Sequence, residues 1–167
     1  MALLWLPAGV HLLFPPREPA YGQARYRRDG QALLPDPQLT PGAAVAGATA
    51  AAVCGHDYST QERDVSASLK RQAYTEYRAV KKPGVCCEVD HLISLEVGGS
   101  NTLANLWPQP YEPKPGAREK DRLEDYLHRE VCSGALPLAQ AQRELSQDWV
   151  RAYRQMAAAE SVASVGR

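Results

Sequence analysis

The chain has 167 residues and a mass of 18.3 kDa, the size of a single domain built on one core. Its 19 Lys and Arg balance 19 Asp and Glu, which excludes the bulk basicity of a polyelectrolyte nucleic-acid binder. The longest apolar stretch, 2–14, contains His11 and falls short of the ~20 residues of a spanning helix, so a transmembrane protein is excluded.

That stretch has the character of a secretory h-region, although no Lys or Arg precedes it and the only small-x-small site is Gly22-Gln23-Ala24. Seven of the 13 prolines lie in the first 41 residues, together with Arg17, Arg25, Arg27 and Arg28. Residues 1–35 therefore read as an irregular leader, with the folded domain at 36–157 and a flexible tail at 158–167. Residues 43–53, almost all Ala, Gly and Val, suit helix and extended chain alike.

Ser59-Thr60-Gln61-Glu62 has the form of a capping box, and Val65, Leu69, Ala73 and Tyr77 recur every four residues. The pattern predicts one helix of about five turns, ending at Lys82-Pro83-Gly84. Residues 63–82 carry six cations against two acids, a balance of +4. Residues 85–95 suit a strand, Gly98-Gly99-Ser100-Asn101 a turn, and Asn105-Leu106-Trp107 a short return strand stopped by Pro108 and Pro110, giving a hairpin over 85–109. Residues 83–112 hold four acids and no Lys or Arg. Overall neutrality thus conceals a basic helix beside an acidic hairpin.

A helix over 116–132 follows from Leu123, Leu127 and Val131 and the stop at Ser133-Gly134, and Pro137 opens another whose apolar stripe is Ala141, Leu145, Trp149, Tyr153 and Met156. The order predicts a small α+β domain. Four cysteines form no C-x-x-C pair, which argues against a zinc ribbon. Cys54 and Cys132, each closely followed by glycine, suit a disulfide between helix ends and buried free thiols equally; Cys86 and Cys87 read as small apolar strand residues.

Asp90-His91 in the acidic block is the dipeptide richest in chemistry, since an imidazole can take a proton from water near neutral pH and a carboxylate offers a hard oxygen to a divalent cation. Taken alone it fits a structural histidine better; the Gly-Gly turn and Asn105 beyond it change the balance. Val89 to Asn101, then Asn105-Leu106-Trp107-Pro108-Gln109, then Lys120-Asp121, Glu124, Leu127-His128, Val131-Cys132, Ala141-Gln142 and Asp148-Trp149, resemble the HNH or His-Me finger (ββα-metal) endonucleases. Thr40-Pro41-Gly42, Cys54 and Arg63 look like the upstream half of a small bacterial or phage branch, so the resemblance spans about 36–155.

The resemblance implies a β-hairpin plus one helix gripping a single divalent metal, magnesium with manganese or zinc as alternatives, and hydrolysis of DNA, or RNA, by a monomer that an inhibitor protein could accompany. It makes His91 the general base, Asp90 a metal ligand and Asn105 the brace of the hairpin loop. Asp90 and His91 can share a site only where the strand ends or twists between them, because consecutive strand residues point to opposite faces. The helical ligand departs from the family pattern, since the first turn is Gly116-Ala117-Arg118-Glu119. Asp121 and Glu124 are the candidates, weighed equally against surface pairing, and His128 is read as exposed. Arg63, Lys70, Arg118 and Lys120 are the candidate phosphate partners, and Trp107 and Trp149 read as core. The departure also motivates a second class of function, a catalytically inactive nucleic-acid or protein-binding module. The signal-like stretch tips localisation toward export.

Overall fold

The computed structural model describes residues 24–80 and 86–165 and shows a mixed α+β chain with two separate two-stranded antiparallel sheets and five helices among those residues. The secretory reading of 2–14 and the cations Lys81 and Lys82 lie outside the described residues. No described helix is long and apolar enough to cross a membrane.

β1 (Tyr26–Asp29) and β2 (Ala32–Pro35) form the first hairpin, with Arg27 opposite Leu34. Ala32, Leu33 and Leu34 are buried, and the Tyr26 ring packs against Tyr77 and Trp107. The folded unit therefore begins ahead of the expected boundary at 36. The arginines of β1 face outward while β2 fills the core, so high charge and proline content concealed a structured segment. At the other end, α5 (Leu138–Val165) runs through the expected flexible tail, and Glu160 pairs with Arg122.

Thr49 caps the four-residue α1 (Ala50–Val53) by accepting from the Ala52 N–H. The single helix expected after it is two: α2 (Tyr58–Glu62) and α3 (Ala67–Tyr77). Ser66 caps α3, its Oγ accepting from Leu69 N at 3.2 Å, and this second capping residue wins over continuation of the first helix. Arg63 consequently lies at the C-terminal end of a short helix rather than near the start of a long one.

The second sheet pairs β3 (Glu88–His91) with β4 (Leu106–Gln109). The strand expected over 85–95 is only these four residues; Leu95–Val97 is a 3-10 turn capped by Ser94, and Leu103–Asn105 a second. Pro108 does not stop β4 but lies opposite Val89, and its carbonyl accepts from Tyr26 Oη at 2.6 Å. A two-stranded ribbon tolerates this because proline loses only its donor. Cys86 and Cys87 precede β3, so strand alternation does not separate them, and their sulfurs are in contact.

α4 (Ala117–Cys132) starts at Gly116, where a Cβ would collide with the Tyr111 carbonyl, and Glu119 Oε2 accepts from the Gly116 N–H at 2.9 Å. Its buried Leu123, Leu127 and Val131 join Ala141, Leu145 and Trp149 of α5 in one core with Trp107 of the hairpin. α5 is interrupted at Asp148, whose side chain accepts from Arg151 N and so caps the second helical segment.

Cys54, the C-cap of α1, and Cys132, the last residue of α4, are joined in a disulfide across 78 positions of sequence. Loop-closure entropy for a loop of that length gives a stabilisation of about 4 kcal/mol, with engineered bonds often yielding less. The expected outcome for the Cys54→Ser/Cys132→Ser protein is a loss of about 2–4 kcal/mol in urea unfolding.

Candidate active site

The ladder of β3 and β4 pairs Asp90 with Trp107 and His91 with Leu106, so it runs regularly through both residues and ends at His91. Their side chains leave on opposite faces. Asp90 turns to α4, where its Oδ2 accepts from Lys120 Nζ at 2.8 Å. His91 turns to the loop and is 9% exposed, with Nε2 at 2.8 Å from Asn101 Oδ1. The condition that the strand end or twist between them is not met, because the ladder pairs both residues and ends after His91, yet both border the same cleft.

Asn101 fixes the imidazole's tautomer. Its Nδ2 donates to the Glu62 carbonyl at 2.5 Å, which leaves Oδ1 facing His91, and an amide oxygen can only accept. Nε2 therefore carries the proton and Nδ1 the lone pair. Burial lowers the pKa of His91 from its ordinary value, against the opposing influence of Asn101 and Asp90, so the ring is neutral at pH 7.

Asn105 is fully buried and touches no cleft group. Its Oδ1 accepts from Ile93 N at 2.8 Å and Ala43 N at 3.3 Å, and its Nδ2 donates to the Ile93 and Ser100 carbonyls, each at 2.9 Å. It positions the loop between the strands and is not itself a catalytic residue. Gly98 (φ +79°) and Gly99 complete that loop, and a Cβ on Gly99 would meet the Ile93 carbonyl. Asn105→Ala strands several buried backbone groups at once, and a loss of about 3 kcal/mol in chemical denaturation is the expected outcome.

Lys120 departs furthest from the sequence reading. It is fully buried and cannot hold a phosphate from solvent. Its ammonium donates to Asp90 Oδ2, to the His91 carbonyl at 2.6 Å and to Glu124 Oε1. Glu124 Oε2 in turn accepts from Ser94 Oγ at 3.0 Å, so both carboxylate oxygens are engaged and Glu124 is poorly placed to serve as a metal ligand. Burial is the largest influence on both groups. In Glu124 it pushes the pKa up; in Lys120 it is outweighed by the two carboxylates, which hold the ammonium charged.

Outside this trio lies a cleft of about 490 Å³ bordered by Asp64, Glu88, Asp90, Glu96, Asp121, Glu124 and Asp125, with Arg63 and Lys70 as its cationic lining. Burial and repulsion from neighbouring carboxylates raise the pKa values of Glu88, Glu96 and Asp121. Arg63 forms no ion pair among the described residues and acts electrostatically on His91, Glu96 and Asp121. Arg118 lies elsewhere, over the Tyr111 ring at 6.0 Å, in a separate hollow with Lys114. The structure thus brings His91, Asp90, Asp121, Glu124, Arg63 and Lys70 to one cleft and leaves Arg118 outside it.

Comparison with family models, curated proteins and solved structures found no match.

The donor set of the cleft fits a hard divalent cation. Its acids outnumber its cations, and Glu96 Oε2 is buried without a partner. No three cleft side chains among the described residues present donor atoms within 4.8 Å of one another; Cys54, His128 and Cys132 alone do. Glu96, Asp125 and Glu88 escaped the sequence reading as site residues. The available signal was spacing on α4, where Asp121 and Asp125 stand four apart on one exposed edge.

Proposed function

We propose that the protein is a metal-dependent endonuclease of the HNH type, hydrolysing phosphodiester bonds in DNA, with RNA as the alternative polymer. The observation that carries this reading is a buried neutral histidine, His91, held in one tautomer at the edge of a carboxylate-rich cleft with the Arg63 guanidinium on its rim. A β-hairpin followed by α4, which contributes Asp121 and Lys120, supports the ββα resemblance.

One or two of Asp121, Glu96 and the Oδ1 of Asp90, with water completing the shell, would hold the divalent cation, which when bound would neutralise charge on the phosphate oxygens and the leaving oxyanion. His91 Nδ1 accepts the proton of the attacking water, while Asn101 keeps the opposite ring nitrogen protonated and the ring in place. Arg63 and Lys70 pair with phosphates flanking the scissile bond, and Arg71 and Arg78 of the α3 region extend the basic track, giving salt-dependent binding with little sequence preference. The Cys54–Cys132 bond supports an oxidising, exported setting.

The test is nicking of supercoiled plasmid in a series of divalent metals. Cleavage with magnesium or manganese, abolished by a chelator, is the expected result. The pH profile adds a second check. A lowered imidazole pKa keeps Nδ1 unprotonated to lower pH, so the acid limb is expected below the ordinary value of about 6.5. A limb at or above that value removes His91 as the base.

One observation favours the second reading, a binding module without turnover. The Lys120 ammonium already supplies positive charge between Asp90 and Glu124, as a metal would. DNA affinity with no cleavage in any divalent metal selects this reading.

A further inference from the structure

We propose that Cys54, His128 and Cys132 form a second, redox-gated metal site for a borderline-soft divalent ion of the zinc class, separate from the carboxylate cleft. In the structure the two sulfurs are joined, and the donor atoms of all three residues lie within 4.8 Å of one another. His128 and Cys132 are four apart on α4 and so present their side chains on one face, a spacing that lets a helix offer two ligands to one ion. Cys54 comes from the C-cap of α1, outside that helix.

A second observation concerns the imidazole. His128 Nε2 lies 3.1 Å from the carbonyl of Val53, the residue before Cys54. A carbonyl accepts, so Nε2 carries the proton and Nδ1 keeps its lone pair. Metal-binding histidines are characteristically held this way, the far ring nitrogen donating to a backbone carbonyl. His128 is therefore held beside the two sulfurs with a lone pair on Nδ1, and is not the freely exposed residue its sequence context suggested.

The disulfide form cannot bind such an ion, because the thiolate is the ligand. A dithiol reductant opens the site: two electrons and two protons convert the disulfide to two thiols, while the dithiol closes to its own disulfide. The ion then displaces the two thiol protons to solvent. Zinc–sulfur bonds of about 2.3 Å in a tetrahedron require the sulfurs to part to roughly 3.8 Å. Cys54 can make that movement, being exposed at the end of a four-residue helix. Cys132 is exposed as well, which leaves the fourth coordination position to water. Sulfur and nitrogen donors select zinc-class ions here, whereas the oxygen-lined cleft takes magnesium-class ions, so one chain sorts two kinds of metal.

The experiment uses the full chain reduced with a water-soluble phosphine, which becomes the phosphine oxide as the disulfide takes up two protons and two electrons. Cobalt(II) is titrated in as the probe and then displaced with zinc. The expected result is one equivalent of cobalt per chain, with a thiolate-to-cobalt charge-transfer band and tetrahedral visible bands, absent before reduction. His128→Ala is expected to weaken binding at least tenfold with the band reduced, and Cys54→Ser/Cys132→Ser to abolish the band. Circular dichroism accompanies each titration. No band in the reduced protein, whether folded or unfolded, overturns the proposal. So does undiminished affinity in His128→Ala, or a band that survives in Cys54→Ser/Cys132→Ser, which places the ion on Cys86 and Cys87. The readout is spectroscopic and does not depend on phosphodiester cleavage.

Discussion

His91→Ala is expected to reduce the plasmid-nicking rate by about 10²–10⁴-fold, the contribution typical of a positioned general base, while leaving DNA affinity within a few-fold of the parent protein. The separation matters because the proposed phosphate partners, Arg63 and Lys70, stand on other elements. Asn101→Ala tests the same assignment from one step away. It frees Nε2 to exchange tautomers without removing the ring, so it is expected to lower the rate less than His91→Ala and to shift the acid limb of the pH profile. Asn101 hydrogen bonding favours the protonated ring, so its removal moves the limb to still lower pH. Unchanged nicking in His91→Ala refutes the base, whatever the metal requirement.

Lys120→Ala is expected to cost about 3–5 kcal/mol of stability in urea unfolding, because it leaves Asp90 and Glu124 as buried or half-buried carboxylates without their cation. Part of that loss should return in Lys120→Met/Glu124→Gln, where the burden of charge is lower and the methionine fills the space of the lysine stem. Lys120→Met alone separates charge from volume: a loss as large as that of Lys120→Ala assigns the effect to the ion trio, and recovery in Lys120→Met means that packing, and not the trio, holds this part of α4. Glu124 also has a sign. Burial raises its pKa against the opposing pull of Lys120, so this contribution is present at low pH and fades as pH rises through the raised folded value.

Why Lys120 was read as a surface cation is instructive. It lies among Arg118, Glu119, Asp121 and Arg122, a segment whose composition is that of a solvated helix. Counted by geometry instead, positions 120, 123, 127 and 131 repeat at three or four residues, so Lys120 continues the stripe of Leu123, Leu127 and Val131 into the core. Periodicity was the stronger signal, and charge masked it. The same competition hid β1 and β2, where Arg27 and Arg28 obscured the apolar run of Ala32, Leu33 and Leu34. Helices α4 and α5 were legible because their apolar stripes and their Gly and Pro boundaries agree. The split between α2 and α3 was not, since the Ser59–Glu62 box lies inside α2 without capping it, while Ser66, which caps α3, has Leu69 rather than Glu or Gln three residues on.

At the candidate site, His91 and the loop-bracing Asn105 were accessible from sequence pattern, but the partners that define their chemistry were not. Asn101 reads in sequence as a turn residue after Gly-Gly-Ser; only folding brings Glu62, 39 positions away, against its amide. Glu96 reads as one acid in a loop until burial of its Oε2 separates it from the others.

The first hairpin and the last helix meet. Asp29 pairs with Arg154 across 125 positions, Arg27 reaches the Gln147 carbonyl, and β2 packs on α5. A chain emerging from the ribosome therefore makes Leu34 more than a hundred residues ahead of its α5 neighbours, and the core cannot close until α5 is out. Folding of this domain therefore waits for α5, which leaves an interval in which a chaperone could hold the apolar N-terminal hairpin.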